Sequence, residues 1–384
     1  ALGKDSIPIE HIAELHDLGY LPLVVKGLPE GTIVSPKIPV VTVYNTVPKF
    51  FWLTNYLESL MSAILWKPAT SATTAFQYRK VFNEFAHDTV GDKDIDFVYW
   101  QGHDFSFRGM SGIEDACMSA AGHLLSFYGT DTVPAIDFHE MYYNANSDNE
   151  LVGGSVPATE HSVMCMGTKD NEIATFERLI EKIYPAGIVS IVSDTWDFWK
   201  VITEFLPQLK TKILARNGKV VIRPDSGDPV KIIVGDKSAT PGSPEYKGAI
   251  ECMWEVFGGT TTEKGYKLLD SHIGLIYGDS ITLQRQKDIL NGLKEKGFCS
   301  FNVVLGIGSY TYEYVTRDTY GFAMKATYGE VNGEARNIFK DPKTDDGTKK
   351  SAKGLMQVTE VNGTLVMKDQ CTWEEEGKGL LQVI

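Results

Sequence analysis

The sequence predicts an α/β protein: a closed barrel of parallel βα units over residues 95–318, with a second α/β domain assembled from residues 1–94 and 319–384. Three observations carry that expectation. From about residue 95, short apolar or β-branched runs recur, and each stops abruptly at Gly, Asp, Arg, His or Ser. Several intervals between them hold amphipathic patterns of helical period. Both chain ends instead show short strands divided by Pro/Gly or Asn-Gly turns.

In chain order, Asp96–Tyr99 leads to Gln101-Gly-His-Asp104, and Leu124–Tyr128 to Gly129-Thr-Asp131. A Gly-Gly-Ser-Val segment then runs into Glu160-His161, and Ile188–Val192 into Ser193-Asp194. Lys219–Ile222 leads to Arg223-Pro-Asp225, Ile273–Tyr277 to Gly278-Asp279, and Phe301–Leu305 to Gly306-Ile-Gly308. Ala174–Ile183 is amphipathic, with Phe176, Leu179, Ile180 and Ile183 on one face; Trp196–Leu209 and Thr282–Leu293 behave similarly. Apolar strands alternating with such helices mean parallel βα units. Seven units over about 220 residues suit a closed barrel, with an open doubly wound sheet as the rival. A barrel gathers the polar residues at its strand C-termini around one mouth.

Outside that region, Leu21–Gly27 and Val40–Tyr44 read as short strands, and Phe51–Asn83 as a helix broken at Pro68. Ala323–Tyr328 reads as a strand before a Val331-Asn-Gly-Glu334 turn, and Val358–Val361 with Thr364–Met367 as a hairpin across Asn-Gly.

The 384 residues carry 37 Lys+Arg against 50 Asp+Glu, a formal charge of −13. That balance argues against a broad nucleic-acid footprint, which needs clustered positive charge. Phosphate chemistry must fall to a few focused cations. No apolar run reaches the ~18 residues that span a bilayer, and no secretion signal opens the chain. The five cysteines are scattered without a Cys-x-x-Cys pair, which fits a reducing compartment such as the cytoplasm. The chain opens on Ala1 without an initiator Met and reads as a truncated or processed piece.

Several groups could carry chemistry. Arg223-Pro-Asp-Ser-Gly227 puts a cation, an anion and free N–H groups together, which suits a phosphorylated sugar; the plain alternative is a loop with an internal Arg–Asp pair. Gly306-Ile-Gly308-Ser309 suggests a phosphate-cradling turn, with Arg317 two or three helical turns on; exposure is the default for such an Arg. Gly278-Asp279 is a weaker signal. His161, with Asp194 at the next strand end, makes an oriented imidazole, a general base or a nucleophile. His103, Asp104 and Arg108 cluster around Phe105, whose ring offers a stacking face or is ordinary core. Five lysines in residues 340–353 suit a lid near polyphosphate or a solvated loop. Neither zinc-type spacing nor a P-loop appears.

Eight of these segments stand together in a known order. His103-Asp-Phe-Ser-Phe-Arg-Gly109, Gly129-Thr-Asp-Thr-Val133, Ser155-Val-Pro-Ala-Thr-Glu-His161 and Ser190-Ile-Val-Ser-Asp194 come first. Val221-Ile-Arg-Pro-Asp-Ser-Gly227, Gly265-Tyr-Lys-Leu-Leu269, Thr316-Arg-Asp318 and Phe339-Lys-Asp-Pro342 follow. From about Leu21 nearly to the C-terminus, the chain resembles the nicotinamide phosphoribosyltransferases of the type II phosphoribosyltransferase family. The resemblance implies that family's irregular α/β barrel plus an α/β domain from both termini, working as a homodimer with shared sites. It implies nicotinamide, 5-phosphoribosyl 1-pyrophosphate and ATP as ligands, with Mg²⁺ carried mainly on substrate phosphates. Phe105 would stack on the nicotinamide ring and Asp131 would accept from its carboxamide. Arg108 and Arg223 would hold phosphate groups, and Asp225 and Asp279 ribose hydroxyls. Gly308, Ser309 and Arg317 would hold the 5′-phosphate, while Ser155, Ser190, Pro224 and Gly278 would line the substrate. His161, oriented by Asp194, would be phosphorylated by ATP. Lys325, Lys340 and Lys349 would lie near polyphosphate. Ser280 and Ser309 stand where the family has Gly, and the chain begins inside the family's first domain, without the tyrosine that the partner subunit sets opposite the phenylalanine. Nicotinate is the rival base, and a non-catalytic ligand-binding homologue the rival class. A barrel lyase or isomerase would need a Schiff-base Lys or a metal triad at a strand end, and neither is found.

Overall fold

The computed structural model describes residues 8–278, 280–340, 344 and 351–384. Two compact units emerge: Lys67–Thr316, and Ala1–Trp66 with Arg317–Ile384.

The Lys67–Thr316 unit is built on six parallel strands: Gly102–Asp104 (β1), Gly129–Thr130 (β2), Val189–Val192 (β3), Val220–Arg223 (β4), Ile273–Tyr277 (β5) and Val303–Ile307 (β6). They form one sheet in the order β2–β1–β6–β5–β4–β3. In register, His103 lies opposite both Gly129 and Gly306, and Val192 opposite Arg223. Val189, Ile191, Val220, Ile222, Leu275, Val303 and Leu305 are buried on these strands, as a sheet covered on both faces requires.

The two edges of the sheet do not pair directly. Gly154 donates to Tyr128 O (2.8 Å) and accepts from Thr130 N–H (3.0 Å), while Ser190 donates to Pro157 O (2.9 Å) and accepts from Thr159 N–H (2.9 Å). Segment 154–159 therefore touches β2 on one side and β3 on the other, and the ring is closed by backbone bonds to an irregular seventh member.

Local departures from the sequence reading have physical causes. Val98–Gln101 is a helical turn, and β1 starts only at Gly102; Val98 is buried there and the Phe97 ring packs edge-on against Phe301 at 5.1 Å. A run this short cannot by itself separate a strand from a helical turn. Leu124–Tyr128 is likewise not a strand: Leu125 is exposed and β2 begins at Gly129. Helix Leu53–Thr89 runs through Pro68 without a break. Packing outweighs the hydrogen bond the proline forfeits: Ala75, Tyr78, Phe82 and Ala86 are buried, and Gly122 admits helix Ile113–His123 so closely that a Cβ would lie 2.8 Å from Ala72 N. The amphipathic run 174–183 is α-helical only to Arg178. Its last turn, Leu179–Ile183, widens to a π-turn, and buried Arg216 donates to the carbonyls of Ile180 and Tyr184.

The other unit holds an antiparallel sheet of Leu23–Gly27 between Val41–Asn45 and Gln382–Val383. Residues Ala323–Thr327 are irregular, and the strand starts at Tyr328. Both Asn-Gly pairs make the expected hairpin turns, with Asn332 and Asn362 at φ 54° and 51° and their glycines at 81° and 77°. Lys26 Nζ reaches Glu376 Oε2 at 2.6 Å in a buried ion pair.

Candidate functional site

In a ring of parallel strands every C-terminal end opens on the same rim. Here β1 hands over to Phe105, β2 to Asp131, segment 154–159 to Glu160-His161 and β3 to Ser193-Asp194. β4 hands over to Pro224-Asp225, β5 to Gly278 and β6 to Gly308.

Asp194 is the hub of this rim. Its side chain is 4% exposed, and Oδ1 lies 3.2 Å from His161 Nε2. Oδ2 accepts from Asp225 N–H (2.9 Å), Ser226 N–H (2.7 Å) and the Ser226 hydroxyl (2.6 Å). Burial works against the charged form, but those donors and His161 outweigh it and hold the carboxyl below its usual range. Asp225 in turn pairs with Arg223, whose Nη2 lies 3.0 Å from Oδ2. The internal Arg–Asp pair thus does form, and it forms at the mouth. The Arg223 guanidinium sits 5.5 Å from the Phe105 ring centroid and 3.9 Å from Glu160 Oε1.

Phe105 lies across the ends of β5 and β6. A Cβ on Gly278 would come 3.4 Å from its ring and 2.7 Å from Asp225 Oδ1, and one on Gly306 would run into the same ring. Gly306 is thus the glycine that admits the aromatic ring. The His103 ring leans on Phe105 at 4.6 Å, and its Nε2 lies 2.8 Å from Asp131 Oδ1. The Ser155 hydroxyl donates to the same oxygen at 2.6 Å. Partial burial favours the neutral acid, yet the donors from His103 and Ser155 and the charge of Arg223 keep Asp131 below the ordinary carboxylate range. Asp104 is fully buried and structural: it accepts the hydroxyls of Ser106, Thr130 and Thr132 at 2.6, 2.8 and 2.6 Å, tying β1 to β2.

The family model for nicotinate phosphoribosyltransferases (NAPRTase) matches residues 100–372. The chain belongs to the NAPRTase family. It is 57% identical to a nicotinamide phosphoribosyltransferase of Acinetobacter baylyi over 390 aligned residues, covering 100% of this chain and 76% of that protein. A nicotinamide phosphoribosyltransferase of Mycoplasma pneumoniae is 37% identical, over 87% of this chain and 71% of the relative. The fold matches a solved nicotinate-nucleotide pyrophosphorylase from Pyrococcus furiosus with TM-score 0.56 at 15% identity, over 97% of this chain and 76% of that one.

In this NAPRTase-family chain the other expected residues lie more widely. Ser190 Oγ on β3 is buried and, among the described residues, has no hydrogen-bond partner, so it is an orphaned polar atom of the barrel. Pro224, between Arg223 and Asp225 in the chain, is buried. Arg108 is exposed in the turn Phe107–Gly109, which packs on Ser309 so tightly that a Cβ on Gly109 would lie 2.6 Å from Ser309 Cβ. Gly308 is extended and Ser309 opens a single helical turn to Tyr312. Arg317 does not follow on that helix: it belongs to the other unit, is exposed, and lies 3.8 Å from Asp318. Lys325 and Lys340 are also exposed there. Asp279 and Lys349 fall outside the described residues. Ser280, where the family has Gly, takes a left-handed φ of 54°. Ser226 and Glu160 were not singled out in the sequence; only their adjacency to Asp225 and His161 pointed to them. Among the described residues no three His, Cys, Asp or Glu side chains gather as a metal set, all five cysteines are free, and no helix is long and apolar enough to cross a membrane.

Proposed function

We propose that the chain joins nicotinamide to 5-phosphoribosyl 1-pyrophosphate, giving nicotinamide mononucleotide and pyrophosphate in NAD salvage. The similarity to nicotinamide phosphoribosyltransferases supports the reaction, and Asp131 carries the choice of base. An ionised carboxylate held by His103 beside the Phe105 platform welcomes a carboxamide N–H₂ and repels the carboxylate of nicotinate. A site built on such a bond can discriminate by about 10⁴.

The chemistry follows from charge. As the C1–O bond of the sugar breaks, pyrophosphate leaves with the electron pair and the pyridine nitrogen supplies the new bond from the opposite face. The sugar becomes positive, beside Asp225, and the leaving group negative, which Arg223 and Arg108 answer. Phe105 stacks on the base. Ser155 and Gly278 flank Asp131 and Phe105, and the lining roles of Ser190 and Pro224 rest on the resemblance. Mg²⁺ carried on the substrate phosphates would neutralise part of their charge. The phosphate and ribose roles of Asp279, Gly308, Ser309, Arg317, Lys325, Lys340 and Lys349 rest on the resemblance alone, as do the homodimer and the cytoplasmic setting.

His161 takes the γ-phosphoryl of ATP. Because an ionised Asp194 can only accept, the ring proton sits on Nε2 and the lone pair on Nδ1. Nδ1 attacks phosphorus, ADP departs with the bonding pair, and the phosphohistidine adds charge that organises pyrophosphate.

The test is pyrophosphate release with nicotinamide or nicotinate, with and without ATP. Turnover of nicotinamide, raised by ATP, is expected. Release with neither base, or a preference for nicotinate, overturns the reading.

A further inference from the structure

Building on that nicotinamide reading, we propose that His103 is a positioning residue that sets base choice: its Nε2–H pins Asp131 Oδ1 and leaves Oδ2 as the acceptor for the carboxamide. Two donors converge on Oδ1, His103 Nε2 at 2.8 Å and Ser155 Oγ at 2.6 Å. Among the described residues no donor bonds to Oδ2, although the carboxylate is 41% exposed and open to a ligand.

The two donors are not equivalent. Ser155 is exposed and sits on the irregular segment that closes the ring. His103 is 8% exposed and sits in β1 between β2 and β6. Its ring has little freedom: Phe105 leans on one face, and a Cβ on Gly129 would lie 2.5 Å from Nδ1. A glycine opposite the imidazole is thus part of the same device. The rigid donor fixes which oxygen faces the base, and in doing so it fixes the base plane over the neighbouring Phe105 ring.

Without the His103 donor, Asp131 keeps Ser155 and the charge of Arg223 but can rotate, so its free oxygen is no longer held against one edge of the base. A carboxylate turned from the base neither accepts from a carboxamide nor repels a carboxylate at close range, so rejection of nicotinate weakens along with binding of nicotinamide. A merely structural histidine would lower both bases alike.

Three variants test this. His103→Phe keeps the ring volume and removes the donor; His103→Gln keeps an N–H at the same reach; His103→Asn stops one methylene short. With melting curves and calorimetric binding of nicotinamide alongside, kcat and KM are measured for each base. For His103→Phe, nicotinamide kcat/KM should fall about 10–100-fold, as expected for a lost bond to a charged group. Most of the loss should lie in KM, and the nicotinamide-to-nicotinate ratio should drop at least about tenfold. His103→Gln should recover to within a few-fold, and His103→Asn should not, a contrast that holds if the Phe variant does not fold. An unchanged base ratio in His103→Phe or His103→Asn, or a Gln variant as poor as Phe, overturns the proposal. A wild-type chain that turns over neither base defeats the nicotinamide reading instead.

Discussion

His161 Nε2 stands 3.2 Å from Asp194 Oδ1, and the other oxygen of that carboxylate holds the 225–226 turn through three donors. The imidazole is therefore oriented by a group that cannot itself swing. His161→Ala should abolish stimulation by ATP and leave residual transfer. Asp194→Asn presents an amide in place of an acceptor, so the ring proton can move to Nδ1. It should cut ATP stimulation about 10–100-fold or more, a wrong-tautomer effect of the kind seen in other oriented histidines. ATP-dependent and ATP-independent pyrophosphate release, measured side by side, decide both; unchanged stimulation in His161→Ala removes the phosphohistidine.

Asp131→Ala deletes the acceptor outright. Nicotinamide kcat/KM should fall about 10–100-fold, and competition between the two bases should shift towards nicotinate. If the base ratio stays where it was, Asp131 does not read the carboxamide.

Gly278→Ala probes the crowding between the Phe105 ring and Asp225, the proposed partner of the ribose. Its φ lies outside the left-handed region, so the backbone tolerates alanine, but the new methyl carbon would sit 2.7 Å from Asp225 Oδ1 and 3.4 Å from Phe105. Asp225 is the group that must give way. A displacement of an ångström at a reacting centre costs about a hundredfold, so a large loss in kcat/KM for the sugar substrate is expected. A variant with full activity would show that Asp225 does not need its present position.

His123 offers a test by pH. It is fully buried, with Nδ1 2.7 Å from the Tyr312 hydroxyl and Nε2 3.0 Å from Gly129 O, a set that satisfies the neutral ring. Burial pushes its pKa down to about 4, against an opposing pull from Asp104. The unfolded chain, at about 6.5, binds the proton first. Stability is therefore complete above about 6.5 and falls as pH drops towards 4, by about 3 kcal/mol in all. Urea denaturation at pH 7 and pH 4.5 should show most of that loss in the wild type and a much smaller one in His123→Gln. Equal losses in both would place the acid sensitivity elsewhere.

Much of this was legible in the chain, for reasons that can be named. Ile273–Tyr277 was read to the residue because a buried parallel strand is a continuous apolar run with a sharp polar end. The Asn-Gly hairpins were equally plain, since both turn residues need positive φ. His161 with Asp194, and Arg223 with Asp225, stood at strand ends, where the ring topology brings them to one rim. What escaped were features decided by packing. Pro68 looked like a break because helix interiors disfavour proline, and the gain from Tyr78 and Phe82 below it is invisible locally. Asp96–Tyr99 looked like a strand because four residues are too few to display a period. The closeness of Gly306 to the Phe105 ring was hidden too, because nothing in sequence places that ring against it. His103 was noticed only as a member of a cluster; its partner is 28 residues away, across the β1–β2 pair.

One carboxylate, Asp194, is shared between the imidazole and the turn that carries Asp225. Sharing of this kind makes the two ends thermodynamic neighbours. If a phosphoryl group on the ring alters the grip of the turn on a sugar by some factor, a sugar in the turn must alter phosphorylation of the ring by that same factor. Occupancy at each end then becomes information at the other, relayed through a single side chain that need not move.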